Sequence, residues 1–424
     1  MRRNFQLLNE ETDLKKIIMF SFLLLSFTSF LFPQSVVIKS LKSFADNNET
    51  AFPLIVQNGD GPKRLTIEFD AQSDFEPYLS IVFRFCDKNW IPYNNIFLLN
   101  PGKNVAYNLS FSVLPQTVKD AHYHFMGSYP DNRGFVNFPF SGKWMFFITD
   151  SHDTTQVYGY GKFFVVNNDI AVYDTLKREQ LEDKVYFPAD LAKIFNVTTN
   201  FNLPDKFYPA SVDRVEIVTN RVLDYPAIVD RNGNTNTRQY YWNGDRKFSF
   251  VARDILPGNG YRQVDLRNTN EFNAKDVNAH LDGLEYSRFF KQTHRDLYGA
   301  SILTNYKDDY AAYLNVTFSI RPPNEMPGGV YLVGAFNNWQ ITPAYQMKNN
   351  YGVYSITVPL KRGIYDYQYV IANLSDDKIV TQDWVTLEGN NWNTSNIYHV
   401  FVYYKDPDYG GYDRIIGYQQ IKSN

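Results

Sequence analysis

The sequence predicts an all-β fold of tandem immunoglobulin-like β-sandwich domains, and three observations lead to this prediction. Aromatic residues make up 17% of the 424 residues, with 32 Tyr and 34 Phe, and flat aromatic rings are enriched in strands. Many short segments alternate between apolar and polar residues with a period of two, as half-buried strands do. Stretches rich in Asn, Gly and Pro separate these segments, as expected for sandwiches with many turns.

A first sandwich is predicted over residues 35–168. Its clearest strand contains Leu79, Ile81 and Phe83 on one face, followed by Phe85 and the small apolar thiol of Cys86. A turn-rich connection at residues 127–134 separates later strands. The predicted strands are residues 36–41, 65–70, 78–86, 123–126, 143–149 and 162–166.

A second β domain is predicted over residues 169–310, after the polar boundary Asn167-Asn168-Asp169. Segments 194–199 and 211–218 alternate well, and the Asp-Arg-Asn-Gly-Asn sequence at 230–234 is a hairpin signal. The charged segment 177–184 is compatible with a short helix.

A third sandwich is predicted over residues 311–424. Its first part contains the strand 330–334, which ends in a turn carrying Trp339. An Arg-Gly turn then leads into the alternating segment 364–370.

Residues 1–34 are predicted to be a signal peptide. Lys15 and Lys16 precede an apolar run at 17–32, which is about as long as a signal-peptide core and short for a membrane span, and Pro33 then breaks it. We therefore expect export and a periplasmic location, with an uncleaved anchor as the alternative. The start codon and the cleavage site stay open, because Met19 could also begin translation and small residues are missing from the expected cleavage positions.

Composition and motifs argue against several function classes. The net charge of −3 gives no basic stripe for nucleic acid, and a lone Cys86 allows no intrachain disulfide. No nucleophile-elbow, phosphate-loop or zinc-protease pattern occurs. His122 and His124 share a strand face and could hold a metal only if a carboxylate joined them; a polar strand face is the preferred interpretation. We expect no enzyme activity, no cofactor and no metal.

The segment from residue 330 resembles the early-set module that glycogen-binding proteins carry. Trp339 takes the position of one stacking Trp, and Asn396 that of an Asn that binds sugar hydroxyls. Gln368 replaces a sugar-contacting Lys, and Ile379 or Val380 replaces the second Trp. A ligand site at Trp339 and Asn396 is therefore the alternative hypothesis, and a structural role for Trp339 is preferred.

Nearly the whole chain after residue 35 resembles the Bacteroidetes family of type IX secretion system plug proteins. The segments that carry this resemblance are Ile67-Glu68-Phe69-Asp70, Phe85-Cys86-Asp87-Lys88-Asn89-Trp90, Ser141-Gly142-Lys143-Trp144, Lys162-Phe163-Phe164-Val165-Val166, Pro257-Gly258-Asn259-Gly260-Tyr261-Arg262, Asp309-Tyr310, Val316-Thr317-Phe318, Val402-Tyr403-Tyr404 and Tyr412-Asp413-Arg414-Ile415-Ile416-Gly417. A divergent paralogue of the plug stays open as an alternative.

The resemblance implies a non-enzymatic periplasmic protein that docks under a very large outer-membrane β-barrel and plugs or scaffolds its pore. Its implied partner is that translocon barrel, with membrane contact only through the barrel and no small-molecule substrate. The alternative is a periplasmic glycan-binding protein that uses the early-set module.

Overall fold

A computed structural model describes residues 36–180, 192–288 and 296–423. The predicted all-β sandwich fold is confirmed: strands dominate, and four short 3-10 turns are the helical elements of the described chain. No helix in these ranges is both long and apolar enough to cross a membrane. The predicted signal peptide at 1–34 lies outside the described residues.

The first sandwich consists of two antiparallel-rich sheets, ordered β1-β3-β7-β6 and β2-β9-β8-β4-β5. Its strands are β1 (Val37–Ala45), β2 (Leu54–Val56), β3 (Leu65–Gln72), β4 (Leu79–Cys86), β5 (Val105–Ala106), β6 (Ser112–Val113), β7 (Tyr123–Tyr129), β8 (Gly142–Asp150) and β9 (Val157–Val166). The inward side chains of β4, including Ile81, Phe83 and Phe85, meet Phe69 and Trp144 in one core. The period-two pattern of residues 78–86 therefore identified both the strand and its buried face.

The second sandwich is formed by the sheets β10-β11-β15-β14 and β13-β12-β26-β27. Its strands are β10 (Val172–Gln180), β11 (Lys193–Asn202), β12 (Val212–Thr219), β13 (Ala227–Asp230), β14 (Arg238–Trp242), β15 (Lys247–Ile255), β26 (Ile397–Asp406) and β27 (Tyr412–Lys422). The short helix considered for 177–184 is wrong at residues 177–180, which belong to β10; residues 181–184 lie outside the described ranges.

The third sandwich is formed by one sheet centred on β24, which pairs with β16, β19, β21 and β25, and a second centred on β20 and β23. Its strands are β16 (Arg262–Asp265), β17 (Asp276–Asn278), β18 (Glu285–Tyr286), β19 (Ser301–Leu303), β20 (Tyr313–Arg321), β21 (Gly329–Gly334), β22 (Lys348–Asn350), β23 (Val353–Lys361), β24 (Gly363–Ser375) and β25 (Lys378–Asp383).

Strand pairing does not follow the boundaries 169–310 and 311–424 that the sequence predicted. The last two strands, β26 and β27, return to the second sandwich, where β26 pairs with β12. Strands β16 to β19, which precede residue 310, pair within the third sandwich. The third sandwich is thus an insertion between β15 and β26 of the second, because the strands that complete a sheet need not be consecutive in sequence.

Apolar clusters join the three sandwiches pairwise. Phe164 of the first sandwich stacks on Phe401 of the second, with ring centroids 4.3 Å apart. Val118 and Ala121 of the first meet Tyr313 of the third. The second and third meet around Trp339, described below. The three cores are therefore connected through buried contacts.

Candidate functional site

Trp339 lies buried at the junction between the second and third sandwiches. Its side chain is 1% exposed, and its ring packs against Tyr261 at a centroid distance of 4.3 Å. The indole N–H donates a hydrogen bond to the carbonyl oxygen of Gly299 at 2.8 Å. A Cβ at Gly299, where φ is +83°, would lie 3.2 Å from the indole, so a glycine permits this close approach. Both the ring and its N–H group are engaged by the protein, which leaves no ring face for a sugar.

Asn396 is also buried, at 4% exposure, where the chain returns from the third sandwich to the second. Its amide donates to the carbonyl of Pro257 at 2.7 Å and accepts from Asn220 at 2.9 Å. Because Pro257 lies where the chain leaves the second sandwich, Asn396 links the outgoing and returning connections. Asn220 also donates to Tyr261 at 3.1 Å, so Asn396 and Trp339 belong to one junction.

The two departures from the glycan-binding pattern lie on paired strands: Gln368 on β24, and Ile379 and Val380 on β25. Gln368 is 7% exposed and donates to the carbonyl of Trp384 at 2.7 Å. Trp384 in turn packs against Tyr225 of the second sandwich at 5.3 Å. The aromatic residues of this region hold the junction together and do not form an open stacking platform.

A buried ionic cluster lies between the first and third sandwiches. Asp70 and Lys361 are each 1% exposed and form an ion pair at 2.8 Å. His124 contacts the other oxygen of Asp70 at 2.8 Å, and Tyr313 donates to Asp70 at 2.8 Å. Tyr306 stacks on His124 at 4.0 Å. Burial raises the pKa of Asp70, but the His124 hydrogen bond and the Lys361 charge outweigh it, so the net shift is downward.

A second ionic cluster lies between the first and second sandwiches. Lys143 pairs with Glu216 at 2.8 Å, and Arg214 pairs with the same carboxylate. Tyr403 donates to Glu216 at 3.0 Å. The ammonium of Lys143 also lies 4.7 Å from the centre of the Trp90 ring. Burial lowers the pKa of Lys143, and the charge of Glu216 counteracts that shift.

A third cluster is internal to the third sandwich. Arg262 binds Glu388 through Nε at 2.9 Å and Glu285 at 2.6 Å. The hydroxyls of Tyr367 and Tyr369 donate to Glu285 at 2.9 and 2.5 Å. Burial opposes ionisation of Glu285, but hydrogen bonding from His280 and the charge of Arg262 lower its pKa to about 2.

These three clusters resemble structural ion-pair networks more than catalytic sites. Their carboxylates are engaged by cations and hydroxyls, as buried charges in stable networks usually are. The thiol of Cys86 is buried, and burial raises its pKa to about 12, which disfavours the reactive thiolate. Within the described ranges, no group of three or more His, Cys, Asp or Glu side chains is arranged to hold a metal ion. His122, the partner of His124 in the sequence pattern, instead contacts the carbonyl of Ser73 at 2.7 Å.

Exposed apolar side chains concentrate on the first sandwich. It carries twelve of the 22 exposed large apolar or aromatic side chains in the described chain. We define the first-sandwich apolar surface by these twelve: Val37, Phe75, Tyr78, Ile91, Ile96, Phe97, Tyr107, Val113, Met126, Phe135, Val157 and Tyr160. Tyr107, Met126 and Phe135 line an open groove of about 610 Å³ between the edges of its two sheets. Exposed apolar side chains that meet at one groove, as these three do, are typical of protein-binding sites.

The fold has a clear structural neighbour. A crystal structure of a hypothetical protein from Parabacteroides merdae superposes with a TM-score of 0.72 at 19% identity, covering 92% of this chain and 98% of that chain. At this identity the similarity concerns the fold. A structure concerning host cell surface retention of a bacterial ice-binding adhesin aligns with a TM-score of 0.14 at 10% identity and covers 90% of this chain and 96% of that chain, which supports no argument. No family model and no curated protein matches the sequence.

Several of the segments that carry the plug-family resemblance contribute residues to the junctions. Asp70 and Lys143 supply charges to the two intersandwich clusters, and Tyr403 closes the second. Asp413 accepts a hydrogen bond from the backbone N–H of Lys88 at 3.0 Å. Sequence reasoning missed this role, because the partners of each residue lie in distant segments. The signal available was the occurrence of charged residues inside otherwise apolar strands.

Proposed function

We propose that this protein is a non-enzymatic periplasmic component of a type IX secretion system, which docks under the outer-membrane translocon barrel and plugs or scaffolds its pore. The observation that supports this most is that several of the family-like segments supply residues to the junctions between sandwiches. Asp70, Lys143 and Tyr403 lie in these family-like segments, and their side chains make the contacts that hold the sandwiches against one another. A stopper needs a body that does not flex at its joints.

The first-sandwich apolar surface is the proposed contact with the barrel. Its exposed rings suit an interface, in which aromatic residues supply most of the binding energy inside a polar rim. No observation favours glycan binding at Trp339 and Asn396, since both side chains are buried and hydrogen-bonded.

The test is a pull-down with tagged full-length protein from detergent-solubilised envelope of the source bacterium. We expect the wild type to recover a very large β-barrel protein. The double variant Tyr107→Asp/Phe135→Asp places charges on the apolar surface and is expected to recover at least tenfold less. Tyr351→Asp, at a fully exposed position on the third sandwich, is the matched control and should recover as much as wild type. Absence of any large barrel protein with folded wild type would overturn the proposal.

A further inference from the structure

The outer face of the sheet β10-β11-β15-β14 carries a regular row of side chains. The strand register aligns Tyr173 with Asn200, Asn200 with Ser249, and Ser249 with Tyr241. Directly paired residues share one face of a sheet, so these four side chains form a single row across four strands. A tyrosine stands at each end, with an amide and a hydroxyl between them.

This row faces solvent because its neighbours along each strand face the core. Phe201, Phe248 and Phe250 alternate with the row and are at most 2% exposed. Tyr173 is 65% exposed and Tyr241 50% exposed. Three interstrand spacings separate them, which corresponds to ~14 Å.

Polar and aromatic side chains surround the row. A shallow groove of about 510 Å³ is lined by the four side chains of the row, by Asn202 and Asn243, and by the rings of Phe201, Trp242 and Phe248, with Lys247 as its one charged lining residue. The adjacent row on the same face continues with Thr175, Thr198 and Gln239. The hydroxyl of Tyr241 donates to Gln239, which restrains its ring.

We propose that this face binds an extended, neutral, β-1,4-linked oligosaccharide. Aromatic rings offer apolar faces to the C–H surfaces of pyranoses, while amides and hydroxyls both donate to and accept from sugar hydroxyls. A row of side chains across four strands, with its rings ~14 Å apart, suits an extended chain of several units, and not a helical α-glucan. Nucleic acid and acidic polymers are disfavoured because Lys247 is the one charged side chain that lines the groove, and Lys177 on the same face lies two rows away. This activity is separate from the proposed docking, which uses the first sandwich.

The experiment is isothermal titration calorimetry of the full chain with cellohexaose, chitohexaose and maltohexaose. We expect binding of cellohexaose or chitohexaose and none of maltohexaose. Tyr173→Ala and Tyr241→Ala should each weaken binding about tenfold, equivalent to ~1.4 kcal/mol. Asn200→Ala, which keeps both rings, should also weaken it. Tyr351→Ala, on the third sandwich, is the control that leaves affinity unchanged.

Three results would overturn the proposal: no binding of either β-1,4-linked hexamer, equal binding of maltohexaose, or undiminished binding by the Tyr173→Ala/Tyr241→Ala double variant. Thermal unfolding of each variant establishes that it is folded. Because barrel recovery in the pull-down does not use this face, the two proposals succeed or fail independently.

Discussion

Asp366 is a buried carboxyl group whose environment favours its protonated form. It is fully buried in β24 and accepts hydrogen bonds from the backbone N–H groups of Leu297 and Gly299, at 2.6 and 2.9 Å, and from Gln263 at 3.0 Å. Burial raises its pKa to about 7; the hydrogen bond from Gln263 lowers it, and the charge of Asp296 raises it.

Asp366 is therefore expected to make the protein less stable as the pH rises. A folded-state pKa of about 7, above the unfolded value of 3.8, gives a contribution that is complete below pH 3.8 and lost by about pH 7. The loss amounts to at most about 1.4 kcal/mol per pH unit within that window. Urea unfolding at pH 5 and pH 8 measures it. Asp366→Asn keeps a similar shape and should show a smaller decrease between these pH values; an identical decrease in both proteins would contradict this.

The sequence identified Trp339 and Asn396 as residues of a type that can bind sugar, but it could not show whether their side chains are exposed to solvent. The ring of Trp339 is covered by Tyr261, and Asn396 binds Pro257 and Asn220, all of which lie far away along the chain. Burial depends on such long-range packing, so one sequence cannot distinguish a sugar-stacking Trp from a structural one.

Among the elements, β3 of the first sandwich and β23 of the third carry the two members of the ion pair between Asp70 and Lys361, which provides a test of the ionic junction. Lys361→Met removes the cation and leaves Asp70 buried, which we expect to destabilise the protein by about 3–5 kcal/mol in urea unfolding. The double variant Asp70→Asn/Lys361→Met should recover part of that loss, because no buried charge is left unpaired. Arg267→Met breaks an exposed pair with Asp265 and should cost no more than about 1 kcal/mol. Equal effects of Lys361→Met and Arg267→Met would contradict a junction held by charge.

Strands with strong alternation were the easiest elements to predict. Residues 78–86 and 143–149 match β4 and β8 within a residue or two, because their inward faces are apolar throughout. Strand β10 was missed: its outward face carries Tyr173, Thr175 and Lys177, and charge near its end resembled a polar helix. The pairing of β10 with β11 overrides that local signal.

For the whole molecule, the insertion of the third sandwich leads to two opposite expectations. Deleting residues 397–424 removes β26 and β27, so the second sandwich should fail to fold, and circular dichroism should show no cooperative transition comparable to the full chain. Replacing residues 259–395 with a short Gly-Ser linker should leave the first and second sandwiches folded, because Asn396 lies within hydrogen-bonding distance of Pro257. A cooperatively folded 1–396 variant would show that the last two strands are dispensable.

The boundaries of the three sandwiches could not have been read from composition or turn signals. Such signals mark where strands end, and they carry no information about which strands pair. The pairing of β12 with β26 joins segments on either side of an entire sandwich. The fold class followed from local patterns, whereas the assignment of strands to each sandwich required the structure.

The return of β26 and β27 to the second sandwich also has a kinetic consequence. Strand β12 can pair with the nearby β13 early, but it obtains its second partner, β26, only after the whole third sandwich has been synthesised. Contacts so distant in sequence slow folding, because the loop between them must close first. A chain that lacks β26 therefore leaves one edge of β12 unpaired and the apolar side of its sheet incomplete. Folding of this protein should accordingly be slow, be completed only after β26 and β27 have been synthesised, and depend on protection of that exposed edge from aggregation.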